Sequence, residues 1–126
     1  MANTDAKGFT MIELLVSLAI VATILTLAAP RYASNIEKTK EAVLREDLYV
    51  LRDAIDKYYS DNNKYPNAID DLVTAKYLRS VPIDPFTQSS HSWAILPPAD
   101  PTLGAVYDVR STAPNQARDG TWFKDW

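Results

Sequence analysis

One carboxylate stands alone in the most apolar part of the chain. Residues 14–29 read LLVSLAIVATILTLAA without a charge, and Glu13 immediately precedes them. Counted over residues 9–29, the stretch holds 21 residues and Glu13 as its one charge, close to the roughly 20 apolar residues that a bilayer-spanning helix needs. An acid at the centre of such a span costs about 2.5–3.5 kcal/mol on insertion scales, so by default it marks a function, and the chemistry it offers is ion pairing. The plainer account places Glu13 near the interface, its side chain reaching water. A cleaved secretory signal fits less well. Only Lys7 supplies positive charge ahead of the run, Asp5 offsets it, and Ala29 is followed by Pro30 without an A-x-A pattern.

Other chemistry has little support. His91 is the single histidine and cysteine is absent, which removes a thiolate or multi-histidine zinc site and any disulfide framework. No serine has a recognisable histidine–acid setting, so the sequence gives no case for nucleophilic catalysis and the chain is expected not to be an enzyme. With 13 basic and 16 acidic residues and a net charge of -3, there is no clustered basic face for nucleic acid. Trp93, Trp122 and Trp126 are expected to pack rather than bind, and the Asp70–Asp71 pair to be a solvated helix surface.

These residues need elements to hold them. Pro30 closes the apolar run and is expected to kink the helix. Beyond it Ile36, Val43, Leu44, Leu48, Leu51, Ile55, Tyr58 and Tyr59 recur at three- and four-residue spacing among charges, the mark of an amphipathic helix over residues 31–61. Glu41–Arg45 and Asp53–Lys57 stand at the favourable i,i+4 spacing. Joined to the apolar run, this gives one long helix on the order of 80 Å from residue 9 to about 61. The cluster SDNNKYP ends it. Asn67 is a candidate cap for a short helix over 68–75 with Ile69, Leu72 and Val73 inward. Residues 93–96 and 105–109 read as strands, the second with Ala105, Tyr107 and Val109 on one face. Asp119-Gly120 signals a hairpin turn before residues 121–124. The fold class expected is α+β: a long amino-terminal helix against an antiparallel sheet of two or three strands.

With those elements in place, the run Lys7-Gly8-Phe9-Thr10-Met11-Ile12-Glu13 resembles the processing site of type IV pilins and type II secretion pseudopilins. The resemblance implies a leader over residues 1–8, cut by a prepilin peptidase between Gly8 and Phe9, and methylation of the new amino-terminal Phe9. It implies a hydrophobic transmembrane and assembly stem over 9–30 and a periplasmic head over 31–126. Glu13 is then the fifth residue after the cut, and Pro30 stands where the family carries a proline. The amine freed on Phe9 and the Glu13 carboxylate of a neighbouring subunit would pair away from water, where a charge pair is far stronger than in bulk solvent. Such a pair fixes stagger more than it adds stability, while apolar packing supplies the cohesion. The basic residues flanking the run, Arg31, Lys38, Lys40 and Arg45 beyond it against Lys7 before it, oppose the family topology on the positive-inside count; the motif is given precedence.

Farther along, Tyr65-Pro66, Tyr77-Leu78, Pro82-x-Asp84-Pro85-Phe86, the Asp-Gly turn and Trp126 resemble the G-type major pseudopilins of type II secretion. The family implies a self-assembling filament in the bacterial inner membrane that drives folded proteins across the outer membrane. Its implied partners are minor pseudopilins, the prepilin peptidase and an inner-membrane assembly platform. It also makes calcium a candidate cofactor, with Ser111, Asp119 and Asp125 at comparable places, although Arg118 would compete for the carboxylates and few ligands are fixed by side chains. Three alternatives remain at this point: a type IV pilin forming a surface fibre for adhesion, motility or DNA uptake, a membrane-tethered binding module in which Glu13 is incidental, and a secreted enzyme, which would need a signal-peptidase cut near Ala29.

Overall fold

The computed structural model describes residues 8–126. One helix, α1 (Met11–Asn62), takes up the apolar run and the amphipathic stretch together. It is followed by a short helix α2 (Asp70–Thr74), strand β1 (Ala94–Leu96), a 3-10 turn (Pro101–Leu103), strand β2 (Asp108–Arg110) and a last 3-10 turn (Phe123–Asp125). The fold is therefore α+β, and its sheet has two antiparallel strands, with Ala94, Ile95 and Leu96 opposite Arg110, Val109 and Asp108. The described residues form two compact units that divide between Glu37 and Lys38.

In the first unit, α1 is long and apolar enough to cross a membrane by length and composition, and none of its apolar window is buried. Pro30 lies inside the helix, which runs on through it; the ring leaves no N–H for the carbonyl of Thr26, four residues back. Two stem hydroxyls are satisfied locally, Thr23 Oγ1 donating to Ala19 O and Thr26 Oγ1 to Ala22 O, each at 2.8 Å, a back-bond open to Ser and Thr within helices.

In the second unit, Leu44, Leu48, Leu51, Ala54 and Ile55 of α1 are buried. They meet Ile69, Leu72, Leu78, Trp93, Val106, Val109, Ala113, Ala117 and Phe123 in one core. The expected stripe is narrower than the sequence pattern: Ile36 and Val43 are exposed. Tyr59 stacks on Tyr65 at 4.5 Å instead of entering the core, and Tyr65 in turn meets Tyr107 edge-on at 5.3 Å.

Other elements also differ from expectation. β2 starts later than residue 105, and Ala105, Tyr107 and Val109 do not share a face. Val106 and Val109 are fully buried while Tyr107 is exposed. The reason is local: Ala105 N and Val106 N both donate to Pro66 O, and Tyr65 N donates to Leu103 O. The segment thus docks on the chain after α1 before it joins the sheet. Gly104 permits this approach, since its φ is +121° and a Cβ there would lie 2.2 Å from Tyr65 O. Asn67 does not cap α2. Instead Asp71 Oδ2 accepts from Asn67 N at 3.0 Å and Ala68 N at 3.2 Å, so this aspartate organises the entry to the helix. The turn at Asp119-Gly120 forms, with Gly120 at φ +89°. Its closing bonds run from Ala117 N to Thr121 O and from Gly120 N to Ala117 O. Beyond one antiparallel pairing, Gln116 with Trp122, the chain winds into the last 3-10 turn rather than a third strand. Trp93 is buried and its Nε1 donates to Pro82 O at 2.9 Å, whereas Trp122 stays exposed.

Candidate functional site

The first candidate site is the junction at the start of α1. Residues 8–10 lie outside the helix. Gly8 is exposed with open space where a Cβ would be, and Phe9 is 84% exposed, so both residues that flank the expected cut are exposed. The remainder of the expected leader, residues 1–7, lies outside the described residues.

Thr10 is the residue that sequence reasoning missed. Its Oγ1 accepts from Glu13 N at 3.1 Å, and its carbonyl takes the first helical bond, from Leu14 N at 3.1 Å. Thr10 is thus the amino-terminal cap of α1, worth about 1 kcal/mol. The signal was available, because Thr-x-x-Glu before an apolar run is a capping-box sequence. It fixes the helix start at Met11, two residues after Phe9. It also puts the Glu13 carboxylate in the first turn, where the helix dipole favours a negative charge. Phe9 and Glu13 are both exposed, so the Glu13 carboxylate is open to a cation brought by another molecule.

The second candidate site is the carboxy-terminal segment 111–121, to which the resemblance assigned calcium. Ser111 is fully buried, whereas Asp119 and Asp125 are exposed. Ser111 Oγ donates to Asp84 Oδ2 and accepts from Ala113 N at 3.1 Å. Asp119 Oδ1 accepts from Thr121 N at 2.9 Å and Thr121 Oγ1 at 2.6 Å, and these bonds hold its carboxyl below the usual carboxylate range. Ser111 and Asp119 thus have separate partners. Among the described residues, no three Asp, Glu, His or Cys side chains gather in a group that could hold a metal ion. As placed, the donors do not fit a calcium shell, which takes six to eight oxygens.

Asp84 is the second residue the sequence did not single out for a role beyond its motif. It is fully buried, and its Oδ1 accepts from Phe86 N at 2.8 Å and Thr87 N at 3.3 Å. With Ser111 on the other oxygen, the carboxylate is satisfied on both sides, as a buried charge must be. Its field reaches α1. Asp47, partly buried, is pushed up from 3.8 to about 6 by desolvation first and then by the charges of Asp84 and Glu46.

Expected helix pairs also rearrange. Asp53 and Lys57 pair at 2.9 Å, but Glu41 and Arg45 each turn to the carboxy-terminal segment. Glu41 Oε1 accepts from Arg118 N at 2.8 Å and Oε2 lies 3.5 Å from Arg118 Nε. Arg45 lies over the Trp126 ring at 3.9 Å and 4.0 Å from Asp119 Oδ2. Arg52 completes the lacing, its Nε donating to Asp108 Oδ1 at 2.8 Å and its Nη2 to Trp126 O at 2.8 Å.

Comparison with known proteins bears on the first site. A family described as "Prokaryotic N-terminal methylation motif" matches residues 3–29, the junction and the apolar run. Among curated proteins, the type II secretion system core protein G of Escherichia coli (strain K12) is 25% identical over 130 residues, covering 90% of this chain and 86% of that protein. The protein of the same name from Klebsiella pneumoniae is 30% identical over 96 residues, covering 64% of this chain and 69% of its own length. That from Klebsiella michiganensis is 27% identical over 116 residues, covering 92% and 80%. No solved structure gives a match.

Proposed function

Because the chain belongs to the type II secretion system core protein G family, we propose that it is a structural subunit of a type II secretion pseudopilus, polymerising through its amino-terminal helix to drive folded proteins across the outer membrane. One observation carries the reading. An exposed Gly8–Phe9 bond stands just ahead of a capped, fully exposed apolar helix whose one charge before Pro30 is Glu13.

In this reading a prepilin peptidase cuts after Gly8 and methylates Phe9. The stem anchors the precursor in the inner membrane with the head in the periplasm. Entry into the filament exchanges lipid for the stems of other copies, and the Phe9 amine of one subunit meets Glu13 of a neighbour. Removing one partner of such a desolvated pair strands the other charge, which costs several kcal/mol, so subunits out of register are rejected. Minor pseudopilins and the assembly platform are the further partners, and the protein is the substrate of chemistry instead of its agent. The relatives, all named core protein G, favour the pseudopilus over a surface fibre.

Two measurements test it. Intact-mass analysis of protein from the native host should give a chain beginning at methylated Phe9; a chain that retains residues 1–8 while polymerising overturns the proposal. Glu13→Ala should leave the protein in the membrane, abolish filaments and stop secretion, whereas unimpaired assembly would reduce Glu13 to a bystander. A tethered binding module would be indifferent to the same change.

A further inference from the structure

The segment 111–121 is closed by the protein's own groups. Three carboxylates touch or flank it, and each is already engaged by the protein's own donors. Glu41 holds Arg118 N and faces Arg118 Nε. Asp119 accepts from Thr121 on one oxygen and has Arg45 beside the other. Asp84 accepts from Phe86 N and Thr87 N on one oxygen and from Ser111 on the other. The bonds continue into the tail, where Trp126 Nε1 donates to Thr121 Oγ1 at 2.8 Å and the Trp126 ring lies under the Arg45 guanidinium.

From this we infer that Arg118, docked on Glu41, takes the place of a bound divalent cation, so that the head closes its carboxy-terminal loop without calcium. A guanidinium is a permanent cation with several donors fixed in a plane, suited to a carboxylate. It arrives on the loop it must fasten, and Glu41 lies on α1, where the adjacent Leu44 and Leu48 are buried in the core. Calcium at this place would have to displace the donors from carboxylates already occupied and would sit beside Arg118 and Arg45, two like charges. The inference concerns the head alone, and its failure would leave the filament reading of the stem untouched.

The test uses the full chain in detergent micelles. Thermal unfolding is followed by tryptophan fluorescence in 1 mM calcium chloride and in 1 mM EDTA, with calcium titrated calorimetrically into the same preparation. The midpoints should agree within about 1 °C and no binding heat should appear. A calcium-dependent rise of several degrees, or saturable binding, overturns the inference. Arg118→Ala should lower the midpoint by about 2–5 °C and speed hydrogen exchange at the Ala117 and Gly120 amides that close the turn. Glu41→Gln, which keeps the shape, should reproduce part of that loss. Combined with Arg118→Ala it should add little, as for two members of one pair. Variants that leave both the midpoint and the turn amides unchanged would equally overturn it.

Discussion

The two units of this chain use one helix in opposite ways. Before Glu37, every described residue of α1 is exposed, and the exposed side chains are mainly large and apolar. Beyond it, Leu44, Leu48, Leu51, Ala54 and Ile55 are buried by the rest of their own unit. The second half satisfies its hydrophobic demand within the molecule and the first does not. A soluble monomer rarely leaves so long an apolar surface uncovered, so the first half is written for surroundings supplied from outside. Stability of the head and assembly through the stem should therefore respond to separate mutations.

The sharpest contrast comes from a pair of truncations. Phe123→Ala removes a fully buried ring that stacks on Phe86 at 4.1 Å and should cost about 3–5 kcal/mol of head stability. Leu18→Ala, in the exposed stem, should leave the unfolding midpoint of the head unchanged while weakening filament assembly. Calorimetry of both variants in micelles checks this, and a Leu18 effect on the head would break the division. Next in size is Gly104→Ala, where the new methyl meets a backbone oxygen and the backbone holds a positive φ. A loss of about 2–3 kcal/mol is expected from strain and clash, read by denaturant unfolding, again without effect on the stem.

The smallest effect has the opposite sign. Asp47 titrates near 6 in the folded head against 3.8 as its ordinary value, so the folded state holds this proton more tightly than the unfolded state. Its contribution therefore favours folding at low pH, is lost as pH rises from 3.8 to about 6, and leaves a penalty above that. Asp47→Asn should stabilise the head at pH 7.5 by on the order of 1 kcal/mol, after discounting for screening of a partly exposed group. The gain should fade between pH 6 and pH 4. Midpoints measured across that range decide it, and a benefit that persists at pH 4 would point to packing instead of charge.

What could be read from the sequence followed from the range of each interaction. The junction, the apolar run and the full extent of α1 depend on neighbours within a few residues, and spacing alone carries them. The cap at Thr10 belongs to the same class and was there to be read. The head's ties do not. Glu41 and Arg118 lie 77 positions apart, and no periodicity links them; the i,i+4 rule assigned Glu41 to Arg45, and tertiary geometry overrode it. Alternation likewise misassigned the second strand, because Pro66 captures the amides of Ala105 and Val106 and turns the chain before the pleat begins. In the sequence Asp84 was only one residue of a motif, and only its burial under Ser111 reveals a charge held inside the head.

The hydroxyls of Thr23 and Thr26 carry one last implication. Each already has its acceptor one turn back along the rod, so neither asks anything of the medium. For a rod that passes from acyl chains into a fibre of its own kind, two polar atoms make the journey with their bonds intact, and the change of solvent finds nothing there to strand.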